Sequence, residues 1–174
     1  MSDLGRFLPL SQRSPGGDAG VSSDRREQTS AVVLLAAALL EHATPGDARA
    51  FAREAGLEGD LDQVPGGDLT GLAAAIASGR RRTIRDLTAA ARAYLARAGT
   101  GGTPLPAEVS GAVALHASAS APFARRAAIA GHTVRASDAG WSFGRGPEIT
   151  ATADAIVAFL TGLSDTPPRR RPDH

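Results

Sequence analysis

The sequence predicts a mainly α fold: a bundle of five to seven helices with a short strand and turn element near the C-terminus. Three observations carry this. Alanine, the strongest helix former, supplies about a fifth of the 174 residues. Apolar residues recur at i, i+3, i+4 and i+7 through most of the chain, the spacing of one helix face. Only after Gly131 does the period change to two, the spacing of a strand.

The first helix is expected over residues 28–42, with Thr29 or Ser30 as N-cap. Its Val32, Val33, Leu34, Leu35, Leu39 and Leu40 cover nearly the whole circumference, which places it centrally in the bundle. The apolar run from Ala31 to Leu40 has ten residues. A membrane-spanning helix needs roughly twenty. Thr44-Pro45-Gly46-Asp47 announces the second helix, with Thr44 as cap, Pro45 at the first helical position and Asp47 at the positive end. Ala48, Phe51, Ala52 and Ala55 form its face, and Gly56 ends it.

Residues 57–67 read as a polar loop. Asp68 then caps a third helix with Leu69, Leu72, Ala73 and Ile76 inward and Gly79 as its stop. The fourth spans residues 83–98. Thr83 and Asp86 make a capping-box pair there, Ile84, Leu87, Ala91, Tyr94, Leu95 and Ala98 form the stripe, and Arg85, Arg92 and Arg97 fall mostly away from it. Residues 99–104 (Gly-Thr-Gly-Gly-Thr-Pro) are the clearest internal linker. A fifth helix starts near Pro106 with Val109, Ala112, Val113 and His116 on one face. Pro122 opens a sixth with Phe123, Ala127 and Ala130 inward.

His132-Thr-Val-Arg-Ala-Ser137 then alternates as a short strand, Asp138-Ala-Gly140 turns, and Trp141, Phe143, Gly144 and Gly146 form an aromatic–glycine segment. Residues 148–150 fit either a second strand or the first turn of a helix begun at Pro147. The last helix is plain from Ala153, Ile156, Val157 and Leu160, with Gly162 at its end. Residues 1–26 have no repeating apolar face and are expected to be disordered, although Phe7, Leu8 and Leu10 could dock. Residues 165–174 are expected as a stiff solvated tail. The expected organisation is one helical domain over residues 27–164, of which 131–163 are the strand–turn–helix portion.

Net charge is +1, so no whole-molecule field steers the chain toward nucleic acid or an anionic membrane. All 19 basic residues are arginine, and lysine and asparagine are absent. Arg, Ala, Gly and Pro have GC-rich codons, so this bias is the one expected of a GC-rich genome, such as an actinobacterial one, rather than a sign of nucleic-acid binding. There is no cysteine, hence no disulfide, zinc–thiolate site or thiol nucleophile. The first residues carry no apolar run of signal-peptide length, and the cytoplasm is the expected location. The Arg80-Arg81-Arg82 cluster reads as a solvated loop, and Glu54, Glu58, Asp60 and Asp62 as a solvated acidic stretch. Ser118 and Ser120 lie near His116 without nucleophile-elbow glycines.

Val134-Arg-Ala-Ser-Asp138, then Trp141, then Gly144-Arg-Gly-Pro-Glu148, then the closing amphipathic helix 153–160 and Gly162 follow one another in order. This run resembles the C-terminal segment of the mycothiol-dependent maleylpyruvate isomerase-like proteins of actinobacteria. The resemblance covers roughly residues 131–163, about a fifth of the chain. It implies an N-terminal DinB-type bundle that holds a divalent metal, zinc for example, through three histidines, together with mycothiol. The histidines available for that role are His42, His116 and His132, none of which forms the i, i+4 helical pair of a helix-borne metal site. It also directs attention to a pocket near Arg135, Asp138 and Trp141 as the cofactor-binding residues. The physics of the segment itself is structural: Trp141 anchors the strand and its indole N–H needs an acceptor. Asp138 caps the turn, and the glycines permit a tight reversal.

Two functional expectations follow. The first is a non-catalytic helical domain that binds a protein or small molecule or assembles as a homo-oligomer, with no cofactor. It rests on the lack of a catalytic constellation and on Ala-faced helices that pack closely. The second is a divergent maleylpyruvate isomerase-like protein using metal and mycothiol. Neither involves nucleic acid or a membrane.

Overall fold

The computed structural model describes residues 23–99 and 101–170. Of the residues expected to be disordered, 1–22 and 171–174 lie outside the described residues, as does any docking of Phe7, Leu8 and Leu10. Residues 23–26 are described: the Arg25 N–H donates to the Arg82 carbonyl, and Arg26 opens the first helix. Within them the order is α1 (Arg26–Leu39), α2 (Pro45–Glu54), α3 (Glu58–Leu61), α4 (Leu69–Ser78), α5 (Ile84–Ala98), α6 (Ala107–Ser120), α7 (Phe123–Ile129), β1 (Thr133–Ala136), β2 (Ser142–Gly144), β3 (Glu148–Ala151) and α8 (Ala153–Thr161). The fold is mainly helical with a small sheet near the C-terminus. None of the described helices is long and apolar enough to cross a membrane.

Local chemistry sets most helix starts. Asp47 Oδ2 accepts from the Thr44 N–H at 2.9 Å, and Asp68 Oδ1 accepts from the Gly71 N–H at 2.7 Å. Thr83 and Asp86 form the expected reciprocal pair: the Thr83 N–H donates to Asp86 Oδ2 at 2.7 Å, and the Asp86 N–H to Thr83 Oγ1 at 3.3 Å. Each such cap satisfies amide groups that have no partner within the helix.

The start of α1 differs from expectation. Asp24 Oδ1, not Thr29 or Ser30, accepts from the first-turn N–H of Arg26 at 3.1 Å. Both hydroxyl residues are buried inside the helix, and Ser30 Oγ donates to the Ala73 carbonyl of α4 at 2.8 Å. Nor is α1 central. It packs on α4 and α5 through Val32, Val33 and Ala36, while Leu34 is 48% exposed and Leu39 39%. The central helix is α5, which touches α1, α2, α6 and α8 and buries Leu87, Ala90, Ala91, Ala93, Tyr94 and Leu95. Small alanines on that face allow neighbours to approach from several sides.

Within the expected loop 57–67 a single turn, α3, forms because Leu57 and Leu61 are both drawn into the core. In the two charged stretches read as solvated, Arg80, Arg81, Glu54 and Asp62 are exposed as expected, but Arg82 is buried and several of the carboxylates hold arginine partners. Arg82 is 2% exposed and donates through Nη2 to Asp60 Oδ1 at 2.6 Å. Glu54, Glu58 and Asp62 pair with Arg97, Arg53 and Arg49. The Arg97 guanidinium also lies 5.6 Å from the centroid of the Phe51 ring.

The orientation of α7 reverses the expected one. Phe123 is 78% exposed and Ala127 and Ala130 are exposed, while Ile129 is the buried residue. Arg125 fixes this orientation. Its guanidinium donates to the carbonyls of Phe159 and Ser164, pairs with Asp165 at 2.7 Å and lies 5.2 Å from the Phe159 ring centroid.

The sheet order is β2-β1-β3, with β1 antiparallel to β2 and parallel to β3. Residues 148–150 are therefore strand, because Ile149 enters the core beside Val134. The stretch expected as tail is described as far as Arg170. Arg169 exchanges two backbone hydrogen bonds with Thr150, and Pro168 is buried.

Candidate functional site

The three residues expected around one pocket are separated by the fold. Arg135 alternates with buried Val134 and Ala136, so it leaves the exposed face of β1, where its Nε donates to Glu148 Oε2 at 2.6 Å. Trp141 turns the other way. Its Nε1 donates to Ser110 Oγ of α6 at 3.1 Å, and its ring stacks with Phe143 at a centroid separation of 6.0 Å. Asp138 sits at the start of α8, where Oδ1 accepts from the Ala153 N–H at 2.8 Å.

Asp138 does rim a cavity of about 400 Å³ between the end of α5, the following linker and α8, together with Asp154. Burial pushes the Asp154 carboxyl above its ordinary value, and the nearby Asp138 charge adds to the rise. Asp154 Oδ1 nevertheless accepts from the Leu105 N–H at 3.2 Å. On the same linker the Tyr94 hydroxyl donates to the Thr103 carbonyl at 2.5 Å. Burial likewise pushes the Tyr94 hydroxyl up. These groups fasten residues 101–106 to α5 and α8, so each carboxylate at this cavity has a structural donor.

The histidines do not fit the metal set that the resemblance implies. His42 follows the end of α1, His116 is on α6, and His132 precedes β1. Among the described residues, no three histidine, aspartate or glutamate side chains gather closely enough to hold a metal ion.

His132 belongs to a different constellation. With Arg126 of α7 and Arg145 of the β2–β3 turn it lines a cavity of about 290 Å³, whose apolar wall includes Ile129, Val134 and Phe143. No carboxylate lines it. Its His132 Nδ1 lies 3.0 Å from the Ala130 carbonyl oxygen, which can only accept, so Nδ1 carries the hydrogen. Nine arginines of the described residues form ion pairs, and neither Arg126 nor Arg145 is among them.

Backbone geometry places Arg145. Gly144 has φ +89° and Gly146 φ +119°. A methyl group on Gly144 would collide with the His132 carbonyl oxygen, and one on Gly146 with the Gly131 carbonyl oxygen. Only glycine fits on either side. The turn is closed by the Thr133 N–H donating to Pro147 O and Thr133 Oγ1 donating to Gly146 O, both at 3.0 Å. Gly144-Arg-Gly was the signal in the sequence for this corner, but spacing alone could not show that α7 brings Arg126 to it.

No family model matches the chain, and neither a curated protein nor a solved structure matches it.

Proposed function

We propose that this protein is a non-catalytic helical domain that works by binding. The observation that carries the reading is the contrast between two of its polar cavities. At the Asp138–Asp154 cavity both carboxylates hold backbone amides of the fold itself. At the His132–Arg145 corner, Arg126 and Arg145 have no ion-pair partner among the described residues, and no carboxylate stands by to act as a general base. A concave site with an apolar wall and a few converging polar groups is the ordinary form of a small-molecule site.

The test is a thermal-shift panel of carboxylates, phosphate esters, amines and thiols, with every stabilising compound then recovered after prolonged incubation and analysed by mass spectrometry. The reading expects at least one compound to raise the melting temperature and return unchanged. Conversion of a stabilising compound into a product overturns it, as does a panel that stabilises nothing.

Assembly is a second mode of binding, favoured by one observation: two large apolar side chains of consecutive helices, Leu115 within α6 and Phe123 at the start of α7, are 60% and 78% exposed. Sedimentation over a wide concentration range tests it. A monomer throughout removes assembly and leaves ligand binding in place.

A further inference from the structure

The 290 Å³ corner carries a specific ligand chemistry. Its polar side chains are Ser118, whose hydroxyl donates to the Leu115 carbonyl of its own helix at 2.7 Å, and three nitrogen-bearing groups from other parts of the fold, Arg126, His132 and Arg145. Arginine makes bidentate, charge-assisted hydrogen bonds to carboxylate and phosphate, and two guanidinium groups at one small cavity suit a single anionic head. Arg125, the neighbour of Arg126, shows the contrast, since both its Nη atoms are engaged, with the Phe159 and Ser164 carbonyls and with Asp165.

The Gly131–His132 backbone and the Gly144–Gly146 turn pack so closely that two side chains are excluded, and the one side chain retained between them is Arg145. The apolar wall holds Phe143, whose ring is fixed by stacking on Trp141 at an interplanar angle of 18°, and the buried Ile129 and Val134. A fixed aromatic ring favours a flat apolar partner in offset or edge contact. The volume lies at the small end of the range for small-molecule sites, enough for one ring and its substituent.

We propose that this cavity binds a small aryl anion, a carboxylate or phosphate monoester on a single aromatic ring. The anionic group lies between Arg126 and Arg145, and the ring lies against Phe143, Ile129 and Val134. With Nδ1 held by the Ala130 carbonyl, His132 has Nε2 left to hydrogen-bond the head group. This deepens the binding-domain reading and rests on it.

The experiment is isothermal titration of the full chain with phenyl phosphate and with benzoate at low salt. Inorganic phosphate and benzyl alcohol serve as the half-ligands. Saturable binding of at least one aryl anion is expected, weakened by roughly tenfold or more in Arg145→Gln and in Arg126→Gln. Arg135→Gln, which removes a cation of the same sheet outside the cavity, leaves it unchanged. Both half-ligands bind more weakly than the whole.

Absence of binding by either aryl anion at millimolar concentration overturns the proposal. So does full affinity in an Arg145→Gln protein whose circular dichroism is that of the wild type. Inorganic phosphate binding as tightly as phenyl phosphate overturns the aryl part. If the panel yields a non-anionic ligand indifferent to Arg145→Gln, binding stands and the anion assignment falls. If a bound aryl anion is converted into product, the anion assignment stands and the non-catalytic reading falls.

Discussion

Trp141 fills the space that a side chain at Gly111 would need: a Cβ there would stand 3.2 Å from Cδ1 of the indole. The strand segment and α6 are thus joined at a place where one partner has no side chain and the other has the largest. The same indole donates to Ser110, the residue before that glycine. The glycine lies inside a helix, where it costs about 1 kcal/mol against alanine, and the close approach of the ring offsets that cost.

Gly111→Leu forces the only tryptophan out of its seat. The expected loss is about 1–3 kcal/mol of stability, the usual range for overpacking. Denaturant titration followed by Trp141 emission measures it, with a red-shifted native spectrum as the structural sign. An unshifted spectrum and unchanged midpoint contradict the packing.

Arg82 and Asp60 predict an asymmetry between two substitutions. Nε and Nη1 of Arg82 are buried without a partner among the described residues, and Asp60 takes only Nη2. Removing the carboxylate leaves a buried cation with nothing to compensate it, so Asp60→Ala is expected to cost about 2–3 kcal/mol, a buried-pair value reduced for the partial exposure of Asp60. Arg82→Met keeps the stem, removes the two orphaned donors and leaves Asp60 partly in water. It is expected to cost less than about 1 kcal/mol. Equal losses in urea titrations would refute the difference.

The burial-raised pKa of Asp154 gives a pH signature. A carboxyl that ionises less readily in the folded state contributes stability that is fully present below the ordinary aspartate value of 3.8 and is lost as pH rises through its raised value. Asp154→Asn keeps a neutral acceptor for the Leu105 amide at every pH. The variant is therefore expected to melt higher than wild type at neutral pH, with the gap closing as pH falls below the aspartate value. Asp24, Asp47 and Glu54 have lowered pKa values through hydrogen bonds and arginine neighbours, and run oppositely: their contribution is lost as pH falls. The difference between the two proteins' melting profiles isolates Asp154. A gap that widens in acid contradicts the assignment.

Phe123→Ser tests the orientation of α7. A ring already 78% exposed has little burial to lose. The expected change in stability is within about 0.5 kcal/mol, as for ordinary surface substitutions. A loss of several kcal/mol would place the ring in the core, as its sequence position suggests.

Gly146→Ala tests the corner. Its φ of +119° is a conformation that side-chain-bearing residues rarely adopt, and a methyl group there meets the Gly131 carbonyl oxygen. A cost of about 1–3 kcal/mol is expected. The turn that carries Arg145 shifts, and an aryl anion should then bind more weakly even though both arginines remain.

What the sequence determined by itself was local. The caps at Thr44, Asp68 and Thr83, the stops at Gly56 and Gly162 and the switch from helical to strand period after Gly131 depend on residues within a turn of one another, and each is found where its chemistry places it. Tertiary structure decided the rest. In so Ala-rich a chain several helix faces are nearly equally apolar, so periodicity alone could not choose between α1 and α5 as the central helix. Nor could it turn Phe123 outward: that followed from Arg125 meeting the carbonyls at the end of α8, some 34–39 residues away in sequence. The burial of Arg82 beside Asp60, and the meeting of Arg126 with the Gly144-Arg-Gly turn, have the same cause. Caps act over three or four residues, whereas partners for buried charge and the walls of a cavity are supplied by elements that only folding brings together.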